Sequence, residues 1–366
     1  MPIVTPEKRS PSNTKTRPDP VSAVMEDPAA GEYRIARTHD VSDPLFILAA
    51  PRSFSSVVSA MLGQHPQMFG LPETHLFGDE TMEQWWLRAS EETYQMAHGL
   101  LRAVAQIIFG GQTERSVRQA TGWLRRRSHE TSGMILDELA CAVHPLILIE
   151  KSPSMVYGLE AMQRAHRFFP EARFIHLVRH PRGYCESVLK YLHMLMRPEY
   201  KPRERKVEIG DVPEWIRYLA SFPYPSLRKD THGQADAEID PQGGWYVLNM
   251  NVRTFLKSLP EHQWITVRGE DLLRQPKGTL AQLAEWLGLR ADTEAVEQMT
   301  HPENSPFARF GPRGARLGND ILFLEHPALR PKGEREQSLQ GTLSWRPDGG
   351  SFLPEVVELS HHLGYQ

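Results

Sequence analysis

The sequence predicts an α/β domain built on a parallel β-sheet that is flanked by helices. Three short apolar segments, at 45–50, 146–149 and 174–178, support this prediction, and a segment with helical periodicity follows each of them. Continuous apolar runs of this length are typical of strands that are buried on both faces of a parallel sheet. The alternation of strands with helices implies right-handed crossovers, so the carboxyl ends of the strands share one edge, where ligands bind.

Composition limits the classes of protein to consider. The 366 residues, 40% of them hydrophobic, suffice for one large core. The net charge of −3, from 42 basic and 45 acidic residues, argues against a polyanion-binding surface and hence against nucleic acid as a partner. Cys141 and Cys185 have no spacing typical of a disulfide framework, which suits a reducing compartment. No apolar run approaches the roughly 20 residues of a membrane span and no signal peptide is visible, so we expect a cytoplasmic protein.

The chain is expected to contain a tail, a domain and one insertion. Residues 1–40 are rich in polar residues and proline with almost no apolar periodicity, so they are expected to form a flexible N-terminal tail. Residues 41–366 form the predicted domain. Within it, residues 195–244 break the α/β pattern and are expected to be a partly helical insertion or lid, because a structureless segment of that length is unusual in a compact domain.

The first strand leads directly into a turn, Pro51–Ser56, that combines a cation with several hydroxyl groups. Ser55 can cap a helix here, because the apolar residues that follow it recur at helical spacing. Such a turn can bind an anion, since the first N–H groups of a helix lack partners within it and the helix dipole adds positive potential. Arg52 supplies a full positive charge. The layout is that of a P-loop, but the motif GxxxxGK[ST] is absent, and the turn could also be only a capped helix start.

Two further cations follow predicted strands. Lys151 comes after the second strand and Arg179 after the third, as Arg52 does after the first. Three positive charges are therefore expected to converge at one edge of the sheet, which favours an anionic ligand. The other predicted elements are helices within 81–141, at 155–169, 181–194, 245–259 and 277–287, a fourth strand at 262–268, a loop at 301–320 and a terminal helix at 352–365.

These motifs resemble those of the sulfotransferases that use 3'-phosphoadenosine-5'-phosphosulfate (PAPS). PRSFSS at 51–56 resembles the family's 5'-phosphosulfate loop, EKSPS at 150–154 the segment with its catalytic lysine, and LVRHPRGYCES at 177–187 its 3'-phosphate motif. LPETHLF and FIHLVRHP look like the sulfotransferase domains that work with polyketide synthases on carrier-bound chains. The resemblance covers about residues 44 to 366. It implies the sulfotransferase fold, with a P-loop-like parallel sheet, and PAPS as donor, with 3'-phosphoadenosine 5'-phosphate (PAP) as product.

The resemblance also implies roles for individual residues. Lys151 would reach the bridging oxygen of the donor. Arg179 and Ser187, which are eight residues apart, would hold the 3'-phosphate, and Arg313 and Arg316 in a glycine-rich loop are candidate nucleotide contacts. The predicted cradle for the 5'-phosphate and the sulfate consists of Pro51, Arg52, Ser53, Phe54, Ser55 and Ser56.

Glu73 and His75 compete as the base that activates the acceptor hydroxyl. If this stretch is extended, both side chains point the same way, so either one can act while the other orients it. Glu73 lies 21 residues beyond Arg52, as a catalytic glutamate does in protein-tyrosine sulfotransferases, and the resemblance favours it. The unperturbed pKa of imidazole favours His75. No metal-ligand spacing is present, and sulfuryl transfer requires no metal in principle.

Two departures from the family pattern bear on the donor. RGEDL at 268–272 has Gly269 where many relatives have a tyrosine that often contacts the nucleotide, and Phe54 replaces the usual loop glycine. One rival function is that of a P-loop kinase, which the missing loop lysine disfavours. Another is that of a non-catalytic nucleotide-binding protein, which the presence of Glu73, His75 and Lys151 together disfavours.

The expected acceptor is a hydroxyl group of a small molecule, a lipid or a carrier-bound polyketide. Several aromatic residues could line its pocket, although most aromatic residues of helices belong to the core. These residues are Trp85, Trp86, Trp215, Tyr218, Phe222 and Tyr224.

Overall fold

A computed structural model describes residues 41–91, 94–195, 240–330, 337–346 and 349–366, together with strands β1 (Val24–Glu26) and β2 (Tyr33–Ile35). The chain divides into two units, Met1–Asp40 and Val41–Gln366. In the first unit β1 and β2 pair antiparallel. Otherwise the tail predicted for 1–40 lies outside the described residues, as do residues 196–239 of the predicted insertion and the aromatic residues in it.

The second unit is built on a sheet of five parallel strands. They are β3 (Leu45–Leu48), β4 (Met68–Gly70), β5 (Ile147–Glu150), β6 (Arg173–Val178) and β7 (Trp264–Arg268). Their order across the sheet is β4-β5-β3-β6-β7, and each neighbouring pair is parallel. The central strand β3 has Leu45 beside Ile149 on one side and beside Arg173 on the other. The predicted parallel sheet with flanking helices is therefore confirmed.

Helices connect the strands and cover the sheet. The described α-helices of this unit are α1 (Ser55–Leu62), α2 (Met82–Glu91), α3 (His98–Phe109), α4 (Glu114–Arg125), α5 (Ser132–Val143), α6 (Leu159–Phe168), α7 (Pro181–Leu195), α8 (Gln242–Leu256), α9 (Gly269–Arg274), α10 (Pro276–Trp286), α11 (Thr293–Met299), α12 (Ile321–Glu325) and α13 (Pro354–His362).

The structure differs from the sequence-based elements in a few places. Strand β4 was not predicted, because it is only three residues long. The helix predicted at 155–169 is a 3-10 turn, Pro153–Val156, followed by α6, with the extended backbone of Gly158 between them. Helices α11 and α12 were not predicted either, and α12 lies at the end of the expected loop at 301–320.

The core lies on both faces of the central strand, whose four residues are at most 1% exposed. On one face Ile47 belongs to an aliphatic cluster with residues of α1, α9 and α10. On the other face Phe46 packs against Phe77 and stacks on Phe174, with ring centroids 5.4 Å apart. Both faces are apolar, which explains why the strand reads as a continuous apolar run. Burial of β3 thus fixes the position of the turn that follows it.

Candidate active site

The turn after β3 has an unusual backbone. Arg52 and Phe54 both adopt the left-handed conformation, each with a φ of 68°. Phe54 occupies the N-cap position of α1 and gives no side-chain cap, so the prediction that Ser55 caps the helix is wrong; Ser55 is the first helical residue. Because phenylalanine has no capping oxygen, the N–H groups of the first turn are left for another acceptor, as an anion site requires.

Lys151 and Glu73 form an ion pair at the end of the sheet. Lys151 follows β5 and is 1% exposed. Its Nζ donates to Oε1 of Glu73 at 2.6 Å and to Oγ of Ser56 at 2.9 Å. Glu73 follows β4, and its backbone N–H donates to the carbonyl oxygen of Gly318 at 2.7 Å. The predicted base and the predicted leaving-group cation are therefore bonded to each other and to the turn after β3.

His75 lies on the other side of the Glu73 carboxylate. Its φ is 54°, so the extended stretch assumed for 73–75 ends before it. Its Nε2 is nevertheless 3.9 Å from Oε2 of Glu73, and its Nδ1 is 3.1 Å from Oγ of Ser154. Burial, with the nearby cations Arg88 and Lys151, lowers the pKa of His75 from 6.5 to about 3. His75 is consequently neutral at physiological pH and a weak proton acceptor.

Glu150 fixes the turns that carry these groups, a role that was not predicted from the sequence. It is 1% exposed, and its carboxylate accepts hydrogen bonds from the hydroxyl of Thr74 at 2.8 Å and from the backbone N–H of Ser152 at 3.2 Å. Burial raises the pKa of Glu150, and the hydrogen bonds from Ser152 and Thr74 oppose that rise. The Ser152 hydroxyl also donates to Glu150 and accepts from the N–H of His75. One carboxylate thus ties the β4 and β5 turns together.

Arg179 follows β6 and points back to the same turn. Its Nη1 donates to the carbonyl oxygen of Arg52, and its guanidinium lies 4.4 Å from the ring centroid of Phe54. Its Nε is buried without a hydrogen-bond partner among the described residues. Burial lowers the pKa of Arg179 to about 10, which leaves it charged. Ser187, predicted to share a phosphate with Arg179, accepts a hydrogen bond from Nε of Arg52 at 3.4 Å.

Asp320 neutralises the cation of the turn, which was not predicted from the sequence. Its carboxylate forms an ion pair with Nη1 of Arg52. The same carboxylate caps α12 by accepting from the N–H of Leu322 at 2.8 Å, and its own N–H donates to Ser56 at 3.4 Å. An aspartate before an apolar helical run signals an N-cap. The pairing of Asp320 with Arg52, 268 residues earlier in the chain, has no such local pattern in the sequence.

Several of these residues line one cavity of about 850 Å³, whereas Glu150, Lys151 and Ser187 are not part of its lining. Its lining includes Arg52, Phe54, Glu73, His75 and Arg179, and also Asp320. Within the described part of the chain, the residues other than glycine that have positive φ are Arg52, Phe54 and His75, and all of them line this cavity. Strained backbone therefore concentrates at the candidate site.

Some predicted contacts lie elsewhere. Arg313 and Arg316 are exposed and are not among the residues that line the cavity, so their predicted contact with the nucleotide has no support from this geometry. Trp85 is fully buried, and its indole N–H donates to the carbonyl oxygen of Thr74 at 3.2 Å. It supports the Glu73 turn from behind instead of lining an acceptor pocket.

The arrangement combines the parts of a group-transfer site for an anion. Arg52, Lys151 and Arg179 bring three positive charges to the carboxyl ends of three parallel strands. Glu73 contributes a carboxylate beside one of them. Positioned charge of this kind can stabilise the charge that develops during transfer, and the carboxylate can accept a proton.

Comparison with known proteins agrees with this interpretation. A sequence model of the sulfotransferase family matches residues 44–293. The structure is similar to the sulfotransferase domain from the curacin biosynthetic pathway, with a TM-score of 0.62 and 20% identity over 89% of this chain and 99% of that chain. It is similar also to the sulfotransferase domain from the olefin synthase of Synechococcus PCC 7002, with a TM-score of 0.60 and 23% identity over 90% of this chain and 98% of that chain.

Both structural likenesses concern the fold, since the identities are low. A search of curated proteins gives no match to the sequence. None of the helices in the described ranges has the length and apolar character that crossing a membrane requires.

Proposed function

Because the chain belongs to the sulfotransferase family, we propose that this enzyme transfers the sulfuryl group of PAPS to a hydroxyl group by in-line displacement. The observation that carries the proposal is the convergence of four side chains from the ends of four different parallel strands: Arg52, Glu73 and Arg179 line one cavity, and the buried Lys151 is bonded to Glu73 behind its wall. The family supplies the reaction class, and the charges around the cavity support an anionic nucleotide as donor.

The residues of this chain fit such a donor. The turn Pro51–Ser56 would hold the 5'-phosphate and sulfate through the cation of Arg52, first-turn N–H groups and serine hydroxyls. Arg179 has a buried Nε without a partner among the described residues, which suits binding to a further phosphate. PAPS would supply an activated sulfuryl group and a phosphate leaving group.

Glu73 is the proposed base, with Lys151 beside it. The carboxylate would accept the proton of the acceptor hydroxyl, and Lys151, which already contacts Ser56 of the cradle, would neutralise the departing oxygen. His75 is the weaker candidate as a base because of its low pKa. Its position 3.9 Å from Glu73 suits it to orient the carboxylate or the acceptor.

The proposed acceptor is a hydroxyl of a small molecule, a lipid or a carrier-bound polyketide. The curacin-pathway and olefin-synthase domains support a natural-product acceptor. The cavity extends beyond the cations to Gln95, Met96, Tyr157 and Tyr191, which offers a mixed polar and apolar wall for such a molecule.

Calorimetric titration with PAP, ATP and 5'-AMP tests the donor. We expect the wild type to bind PAP in preference to the other two nucleotides, and Arg179→Ala to lose that preference because it lacks the cation for the additional phosphate. Arg167→Ala is a suitable control, since Arg167 is an exposed residue of α6. Its ion-pair contact with Glu80 is long, at 3.6 Å.

Each outcome separates the candidate functions. A wild type that binds ATP and not PAP would favour a kinase-like protein and overturn the donor assignment. A protein that binds PAP but releases none from PAPS with any hydroxyl acceptor would be a non-catalytic nucleotide-binding protein.

A further inference from the structure

Phe54 is a costly residue in its position. Its φ of 68° lies in the left-handed region, where glycine is unstrained and a bulky side chain costs of order 1–3 kcal/mol. It also occupies the N-cap of α1 without providing a capping oxygen. Neither backbone conformation nor helix capping explains a phenylalanine here, so the explanation must lie with the ring.

The ring faces the guanidinium of Arg179. The distance of 4.4 Å from Cζ of Arg179 to the ring centroid is within the range of cation–π attraction. The same guanidinium donates through Nη1 to the carbonyl oxygen of Arg52, two residues before Phe54. Arg179 is therefore held by its face and by one edge, while its buried Nε has no partner among the described residues.

Gly269 leaves the space that the ring occupies. A Cβ atom on residue 269 would lie 2.4 Å from Cδ2 of Phe54 and 3.1 Å from Cε2. Any side chain there would displace the ring from its present position against Arg179, because contacts under 3 Å force a displacement. Phe54 and Gly269 are thus two halves of one packing arrangement, although 215 positions separate them in the sequence.

We propose that Phe54 is a positioning residue of the donor site: its ring holds Arg179 in the orientation that binds the additional phosphate of PAP, and glycine at 269 makes room for it. This inference rests on the proposed use of PAPS. It explains the two departures from the family pattern, Phe54 and Gly269, as one paired exchange of a small and a large residue. They are then not two separate losses of contacts to the donor.

The ratio of the affinities for PAP and 5'-AMP tests the inference, because these nucleotides differ by that phosphate. In Phe54→Leu, which keeps an apolar side chain without an aromatic face, we expect PAP affinity to fall by about tenfold. Affinity for 5'-AMP should change by less than about twofold. If Phe54 had only a structural role, its substitution would lower the affinities for both nucleotides alike. Phe54→Tyr, which keeps the ring, is the matched control and should retain the wild-type ratio.

A second set of variants tests the pairing from the other side. Gly269→Ala should lower the PAP to 5'-AMP ratio because the new methyl group displaces the ring. The exchange Phe54→Gly with Gly269→Phe should bring the ratio closer to that of the wild type than Phe54→Gly alone. Melting temperatures measured alongside identify any variant that is not folded.

The outcomes are distinguishable. If the wild type does not bind PAP, the donor proposal fails and this inference fails with it. If the wild type binds PAP and Phe54→Leu leaves the ratio of the affinities for PAP and 5'-AMP unchanged, only the role of Phe54 is overturned. If the double variant has a ratio of PAP to 5'-AMP affinity no closer to that of the wild type than Phe54→Gly has, the pairing of Phe54 with Gly269 is overturned.

Discussion

The Glu73 carboxylate sits between a cation and a neutral imidazole, and this placement decides the roles of the three side chains. Lys151 is bonded to it at 2.6 Å, whereas Nε2 of His75 is 3.9 Å away. We predict that Glu73→Gln lowers turnover by at least about 100-fold, because the amide cannot accept the proton. PAP binding should persist. PAP release from PAPS and calorimetry would measure the two effects.

The matched variant is His75→Gln, which keeps a neutral polar side chain. It should lose less activity than Glu73→Gln. The opposite order, with Glu73→Gln active and His75→Gln inactive, would reverse the assignment of the base.

Asp320 competes with the donor for Arg52. In the structure its carboxylate pairs with the cation that would hold the sulfate or phosphate. We predict that Asp320→Asn raises PAP affinity by about three- to tenfold, because an ion pair that is partly buried no longer has to be broken. The asparagine retains the oxygen that caps α12. Reduced PAP affinity would instead show that Asp320 holds Arg52 in its binding orientation.

The contact between α3 and the turn after β4 depends on a glycine. A Cβ atom on Gly99 would lie 1.8 Å from the carbonyl oxygen of Glu73. We therefore predict that Gly99→Ala lowers the free energy of unfolding by about 2–3 kcal/mol and also impairs turnover, since the turn that carries the base must move. Denaturant unfolding and activity would both be measured.

Gly278 provides the control, because it too lies in the first turn of a helix and a Cβ atom added there would meet nothing within 4 Å. Gly278→Ala should stabilise the protein by up to about 1 kcal/mol. If Gly99→Ala and Gly278→Ala changed the free energy of unfolding equally, the close approach of α3 to the turn after β4 would not matter for stability.

The domain as a whole should be sensitive to acid, because four histidines, three of them buried and His75 partly buried, are neutral in the folded state. Burial lowers the pKa of His75 to about 3 and those of His98, His176 and His180 to about 4. In the unfolded chain they would bind protons near pH 6.5, so stability should fall as the pH drops from about 6.5 to 4, by up to about 1.4 kcal/mol per pH unit for each histidine.

Glu150 acts in the opposite direction, since its raised pKa favours the folded state at low pH, but it is one group against these four histidines and His166, whose pKa burial also lowers. Urea unfolding at several pH values would measure the slope. His176→Gln, away from the cavity, should make the slope shallower. A stability that does not change between pH 7 and pH 5 would contradict this prediction.

The sequence predicted what depends on local patterns and missed what depends on distant contacts. Strands β3, β5 and β6 are apolar on both faces, so their runs identified them and placed Arg52, Lys151 and Arg179 at their ends. Three-residue β4 carries no such pattern. The pairs Arg52–Asp320 and Phe54–Gly269 join residues more than 200 positions apart, and only the packed domain brings them together.

The central position of β3 has a consequence for how the chain acquires its fold. The ribosome delivers β3 before any other strand of the sheet, yet its two neighbours follow roughly 100 residues or more later. Closing such long loops is entropically unfavourable, so folding should be slow. Until β5 and β6 arrive, the segment Leu45–Leu48 is an unpaired apolar strand, which is prone to aggregate during synthesis. Chaperone capture of this segment during synthesis should therefore increase the soluble yield.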